Sequence, residues 1–269
     1  MVKLWKNTKT LDDYIDSNFI EVEDKELAEI VLLGSKPIDL DEFPNLKGIF
    51  RAGVGKENID FDKCMKHGIE VCFPSESTKN IIYEETANFA CHLILKASYA
   101  NTGEIESWTK NNRPFLRERK LLIIGVGNIG KSVYRKMKSF MTCLKYDSMD
   151  STPDELNKLL VEADFVSLHI PSTPTTENFI DAEKLAMMKD GAVLINTARG
   201  KVVDEDSLYN ELINDRIRAY FDVFWQEPYN GKLKELENFY MTPHIASTCD
   251  GFLRESYNDM VTFKNFIKE

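Results

Sequence analysis

Short runs of β-branched and aliphatic residues alternate along the whole chain with stretches whose apolar positions recur every three or four residues. That alternation of strand and helix periods predicts βα units laid around parallel sheets. Strands are expected at 2–5, 30–33, 46–51, 69–72, 121–124, 143–146, 165–169, 192–196 and 219–223. These are too many for one modest sheet and no internal repeat groups them, so the pattern points to an α/β chain of two Rossmann-like parallel-sheet domains.

Residues 80–100 hold no Gly or Pro and lie between Phe73-Pro74-Ser75 and Asn101-Thr102-Gly103, which predicts a long helix bridging the domains. Thr152, Pro153 and Glu155 are spaced for a capping box with Pro at the first helical position, and Asp181 and Asp204 are placed to cap two further helices. The tail 250–268 is amphipathic, as a closing helix that crosses back to the first domain would be. The expected division is a substrate domain of 1–79 completed by 248–269, and a cofactor domain of 80–247.

Composition narrows the class. With 43% of 269 residues hydrophobic, the chain can bury a real core. Acidic residues outnumber basic ones 44 to 34, and the resulting charge of -10 disfavours nucleic acid and anionic membrane as partners. The basic stretches 113–120 and 131–138 read as solvated faces. No apolar run approaches a membrane span, and Met1-Val2-Lys3-Leu4-Trp5-Lys6 lacks the apolar core of a secretory signal, so a cytoplasmic protein is expected. The five cysteines are widely spaced without a Cys-x-x-Cys pair, which suggests reduced, mostly buried thiols, no disulfide framework and no metal site.

Chemistry first appears at Leu121-Leu122-Ile123-Ile124, which runs straight into Gly125-Val126-Gly127-Asn128-Ile129-Gly130. Ile129, Val133, Met137 and Phe140 then follow at near-helical spacing. In this strand–turn–helix setting Gly125 permits the tight turn, Gly127 lets backbone approach a pyrophosphate and Gly130 lets the helix lie against the strand. The strand at 143–146 ends in Asp147, at the distance where a carboxylate accepts from the adenosine ribose hydroxyls. A carboxylate there repels the 2′-phosphate of NADP, so NAD is the expected cofactor.

Three polar residues stand near the ends of hydrophobic segments in the second half: Arg199 in Asn196-Thr197-Ala198-Arg199-Gly200, Glu227 in Asp222-Val223-Phe224-Trp225-Gln226-Glu227-Pro228, and His244 in Thr242-Pro243-His244-Ile245-Ala246. Reducing a 2-oxo acid requires a cationic fork for the carboxylate, a proton donor for the nascent alkoxide and a hydride source. Arg199, His244 and NADH match those needs, and a carboxylate such as Glu227 beside an imidazole orients it and favours its protonated form. His67 reads as a turn residue before Gly68, His92 as a structural helix residue and His169 as a strand-end residue shaping the crevice. Ser75, Ser77 and Thr78 sit in no Gly-x-Ser-x-Gly motif.

From about Ala28 onward the sequence resembles the D-isomer-specific 2-hydroxyacid dehydrogenase family. The resemblance is carried by the segments 51–60 (Arg-Ala-Gly-Val-Gly-Lys-Glu-Asn-Ile-Asp), 68–71, 167–171 and 196–205 together with the glycine motif. It implies that Arg199 binds substrate, that His244 is the acid/base with Glu227 as its partner, and that Thr197 and Asp222 lie at the cofactor, Asp222 at the nicotinamide carboxamide. It also implies that Val54 and Gly55 hold the substrate carboxylate, that the active site lies in the cleft between the domains, and that the protein is a homodimer built through the cofactor domains. The chain departs from the family pattern in a compressed stretch between Asp147 and Leu156, and in Lys56, Glu57 and Tyr83. A phosphorylated substrate calls for further cations, for which Arg51 and Lys56 are the candidates. The competing reading is a non-catalytic NAD(H)-sensing scaffold of the same fold, against which the intact Arg199, Glu227 and His244 set argues.

Overall fold

In a computed structural model that describes residues 1–268, the chain divides into two compact units, Met1–Ile82 with the chain from Ser247 onward, and Tyr83–Ala246. Glu269, the last residue of the expected substrate domain, lies outside the described residues.

The first unit is a five-stranded sheet of β1 (Val2–Lys6), β2 (Phe19–Glu21), β3 (Ile30–Leu33), β4 (Gly48–Arg51) and β5 (Glu70–Cys72), in the order β2-β1-β3-β4-β5 with all neighbours parallel. Every residue of β3 and β4 is buried, as befits central strands covered on both faces. Between β4 and β5 runs the short helix α1 (Phe61–Lys66), capped by Asp60 and closed by His67 ahead of Gly68 at φ +67°. His67 is thus a turn residue.

Helix α2 (Glu76–Ser98) begins four residues before the expected start. Its first turn is held from afar: Asp259 accepts hydrogen bonds from the Ser75 amide (2.8 Å) and the Thr78 hydroxyl (2.7 Å), a partner that local sequence does not reveal. From Tyr83 the helix belongs to the second unit, where Ala87, Ala90, Leu93, Ile94 and Ala97 pack with Leu121, Ile123 and Val133.

The second unit holds a small hairpin, β6 (Gly103–Glu104) and β7 (Thr109–Lys110), then β8 (Lys120–Ile124), α3 (Asn128–Met137), β9 (Thr142–Tyr146), α4 (Pro153–Glu162), β10 (Phe165–Leu168), α5 (Ala182–Met187), β11 (Val193–Asn196), α6 (Glu205–Ile213), β12 (Arg218–Phe221) and β13 (Phe239–Met241). Its main sheet has the order β13-β12-β11-β10-β8-β9, all parallel. The chain lays β9 on one side of β8 and β10 to β13 on the other, so the loop after β8 stands at the point where strand order reverses, the place where open α/β sheets take ligands. The compressed stretch after Asp147 leaves only residues 148–152 before α4, and among the described residues no strand lies beyond β9, which is a sheet edge. Thr152 makes the expected capping box with Glu155, and Asp181 and Asp204 cap α5 and α6.

The closing helix α7 (Asp250–Lys268) returns to the first unit. Met260 and Phe263 join Leu4, Leu32 and Phe50 in one core. A Cβ on Gly48 would stand 2.1 Å from Ile267 Cδ1 and 2.6 Å from Phe263 Cζ, so only glycine lets the helix lie this close to β4.

Four strands were not foreseen: β2, β6, β7 and β13 are two or three residues long, and pairing rather than period defines them. Phe140 is a correction, because α3 stops at Met137 and Phe140 is exposed in the following turn. Only Cys64 and Cys91 are fully buried; Cys72, Cys143 and Cys249 are half-buried, and all five are free thiols.

Candidate active site

The glycine loop is shaped by backbone crowding. Gly125, at φ +91°, donates its amide to Tyr146 O (2.8 Å), and a Cβ there would meet His169 O at 2.5 Å. A Cβ on Gly130 would stand 2.0 Å from Gly125 O, so this glycine seats α3 against the loop. Gly127 caps α3 with open space where a Cβ would lie, and Asn128 is exposed in the first turn with Ile129 half-buried behind it. Asp147 closes the cradle: its carboxylate accepts from the Val126 amide (2.8 Å) and the Met149 amide (3.2 Å).

On the loops after neighbouring strands, His169 Nδ1 and Thr197 Oγ1 are buried and have no partner among the described residues. Burial pushes the His169 imidazole down to about 4, so it is neutral, with Nε2 2.9 Å from Ser167 Oγ. Unspent polar atoms, clearance at Gly127 and a helix N-terminus together fit a dinucleotide.

Three successive strands deliver the catalytic candidates: Arg199 follows β11, Glu227 follows β12 and His244 follows β13. The Arg199 turn is drawn by buried Asn196, whose side chain accepts from the Ala198 amide (2.9 Å) and donates to Arg199 O (2.8 Å). Sequence reasoning passed over Asn196, although an Asn bonding the backbone two residues on is a recognisable turn signal. The half-buried Arg199 guanidinium donates to Ala198 O (2.7 Å).

Glu227 and His244 meet at 2.8 Å, Glu227 Oε2 to Nδ1, while Glu227 Oε1 accepts from the Phe224 amide (3.2 Å). Burial raises the Glu227 carboxyl, but the His244 hydrogen bond and charge, the Phe224 amide and the Arg199 charge outweigh it and hold the group below its ordinary value. His244 occupies φ +56°, a conformation costing a β-carbon residue about 1–3 kcal/mol unless its surroundings hold it. Asp222 does so: the fully buried carboxylate accepts from Thr242 Oγ1 (2.6 Å), the Ile245 amide (2.9 Å) and the Ala246 amide (2.9 Å). Asp222 thus fixes the imidazole-bearing turn, a duty its sequence position did not reveal.

In the first unit, Val54 is half-buried and Gly55 buried in the loop after β4. Arg51 shapes that loop, donating Nε to Gly55 O (3.2 Å) and Nη1 to Ala52 O (2.8 Å) and Leu33 O (3.3 Å). Lys56 lies over the Phe73 ring at 5.5 Å, and Tyr83 is half-buried. His92 is exposed against Phe89.

The family model of the D-isomer specific 2-hydroxyacid dehydrogenase NAD binding domain matches residues 90–246, and that of the same family's catalytic domain matches 21–90. The chain is 38% identical to a glyoxylate reductase of Korarchaeum cryptofilum over 83% of this chain and 74% of that protein, and 36% identical to a hydroxypyruvate reductase of Thermotoga maritima over 77% and 72%. Its fold is similar to that of the D-lactate dehydrogenase of Aquifex aeolicus, solved with NAD and lactic acid, at a TM-score of 0.77 and 28% identity, covering 99% of this chain and 95% of that one. A parallel-sheet NAD-binding unit with an Arg, Glu and His at three strand ends defines an oxidoreductase of hydroxy and oxo acids, and this chain belongs to the D-isomer specific 2-hydroxyacid dehydrogenase family. Its reaction is hydride transfer between NAD(H) and a hydroxy/oxo acid pair.

Proposed function

We propose that this enzyme reduces a small, unphosphorylated 2-oxo acid such as glyoxylate or hydroxypyruvate, with Arg199 binding the carboxylate, His244 delivering the proton and Glu227 holding the imidazole. The observation that carries this reading is the 2.8 Å contact between Glu227 and His244 Nδ1, which leaves Nε2 as the ring nitrogen for the substrate oxygen. NADH supplies the hydride; the protein orients the carbonyl and donates the proton. Gly125, Gly127, Asn128, Ile129, Gly130 and Asp147 would cradle the dinucleotide, with Thr197 and Asp222 on its nicotinamide side and Val54 and Gly55 offering backbone to the substrate carboxylate. An unphosphorylated substrate is favoured because Arg51 directs three hydrogen bonds to backbone carbonyls.

Residues 1–79 with 248–269 are read as the substrate domain and 80–247 as the cofactor domain. A homodimer is favoured by the exposed Ile105, Trp108 and Phe115 on and beside the hairpin of the second unit. A cytoplasmic setting accords with five free thiols, and no described helix is long and apolar enough to cross a membrane. Steady-state turnover of NADH with glyoxylate, hydroxypyruvate, pyruvate and 3-phosphohydroxypyruvate tests the assignment. Turnover of the first two is expected; silence across the panel with tight NADH binding would favour the sensing scaffold instead.

A further inference from the structure

The segment carrying Glu227, Phe224-Trp225-Gln226-Glu227-Pro228-Tyr229, is rich in large aromatics. The Phe224 and Tyr229 rings stack at 5.1 Å, and Trp225 stacks on Phe221 at 5.9 Å. Their polar atoms point elsewhere. Trp225 Nε1 donates to Val203 O at 2.7 Å, and Tyr229 OH donates to Glu205 Oε1 at 2.6 Å while accepting from the Leu233 amide at 3.3 Å. Val203 and Glu205 belong to the segment that leaves Arg199 and enters α6. A third contact joins the same two segments: a Cβ on Gly200 would lie 2.1 Å from the Phe224 carbonyl carbon and 2.4 Å from the Trp225 nitrogen.

We propose that Trp225 and Tyr229 are positioning residues that hold the Arg199 turn in register with the Glu227–His244 pair. Glu227 stands two residues from each, so both flanks of its loop are tied to the chain that carries the substrate's cationic fork. Carbonyl polarisation and proton delivery demand that fork and donor stay at fixed separation, and small misplacements far from the chemistry cost large factors in rate. The role rests on the dehydrogenase assignment above, but the ties themselves are independent of it. The charged groups facing the pair are Asp222 toward His244 and Arg199 toward Glu227, and neither is altered by the substitutions that follow.

Tyr229→Phe removes one hydroxyl and keeps the ring, Trp225→Phe removes the indole donor, and Glu205→Gln keeps an acceptor for Tyr229. The ring signals of His244, among those of four histidines, are followed by NMR in the full-length protein, alongside kcat and KM for glyoxylate, NADH titration and Tm. The His244 resonance is assigned by its loss in His244→Asn. Trp225→Phe and Tyr229→Phe are expected to shift the His244 ring signals in the direction in which Glu227→Gln shifts them and to lower kcat/KM about tenfold, with NADH affinity held. Glu205→Gln should stay within about threefold of wild type. If Trp225→Phe does not fold, Tyr229→Phe alone carries the test. Unchanged His244 ring signals with unchanged kcat and KM in the folded variants would overturn the role. Silence of the wild type towards every oxo acid would instead defeat the functional assignment, and the ring signals would still decide the ties.

Discussion

The cofactor half of the second unit, from β8 to Asp147, and its catalytic half, from β11 to His244, are built on one sheet by opposite means. In the first, strand, glycines, helix and acid follow one another in the chain, and the shape comes from what glycine allows the backbone to do. In the second, the proposed catalytic side chains stand on three loops tied by other side chains: Asn196 at Arg199, Asp222 at the His244 turn, and Trp225 and Tyr229 on either side of Glu227. A contiguous backbone site fails when a Cβ intrudes. An assembled side-chain site fails when a single polar atom is lost.

The largest effect should follow from removing the proposed proton donor. His244→Ala is expected to lower kcat for oxo-acid reduction roughly 10²–10⁴-fold, the usual worth of a positioned acid/base, while NADH binding, resting on the glycine loop, stays near wild type. Rapid-mixing single-turnover measurements with an NADH titration check both; full hydride transfer in His244→Ala would remove the residue from the mechanism.

Glu227→Gln comes next. Because its carboxyl is held below the ordinary range, Glu227 is ionised throughout the neutral region. Reduction consumes a proton, so kcat/KM for reduction should fall as pH rises, and Glu227→Gln, which removes the charge beside the proposed donor, should move that fall to lower pH. The linkage sign is that of a depressed acid: the Glu227 contribution to the fold is present above the ordinary carboxylate value and is lost as pH falls through the lowered one. The kcat/KM–pH profiles of both forms are the measurement, and coincident profiles would break the pairing.

A smaller change is expected in the cofactor half. Asp147 spends part of its carboxylate on the Val126 and Met149 amides, so Asp147→Asn keeps some of that bonding while removing the charge that repels a 2′-phosphate. The preference for NADH over NADPH should fall roughly tenfold, about 1.4 kcal/mol, read as the ratio of kcat/KM values. An unchanged ratio would assign cofactor choice to other groups.

The same contrast decides what was legible in the sequence. The glycine loop, the place of Asp147 at the end of β9 and the helix caps could be read because each is local, as could the central strands with their continuous apolar runs. Arg199, Glu227 and His244 could be nominated from their places near strand ends. What could not be read is what holds them: Asp222 clamping the His244 turn, the Trp225 and Tyr229 ties, and Asp259 starting α2 all join residues distant in the chain. Periodicity also carries no signal for three-residue strands such as β2 and β13, which exist only through a neighbour's hydrogen bonds.

The smallest effect serves as the control for the comparison. Thr152 and Glu155 form a reciprocal cap on α4, with the Thr152 hydroxyl accepting from the Glu155 amide (3.3 Å) and Glu155 accepting from the Thr152 amide (2.6 Å). The cap is exposed and follows Asp147 by only a few residues, so it belongs to the locally built half. Thr152→Ala should cost about 1 kcal/mol of stability, a cap's ordinary worth, because the Glu155 amide then turns to water rather than being buried without a partner. Neither kcat nor the pH profile should move, since Arg199, Glu227 and His244 draw their alignment from other loops. Urea unfolding followed by circular dichroism, paired with the glyoxylate assay, reads both quantities. A loss of stability without a change in rate upholds the division between the halves, and a pH profile displaced like that of Glu227→Gln would break it.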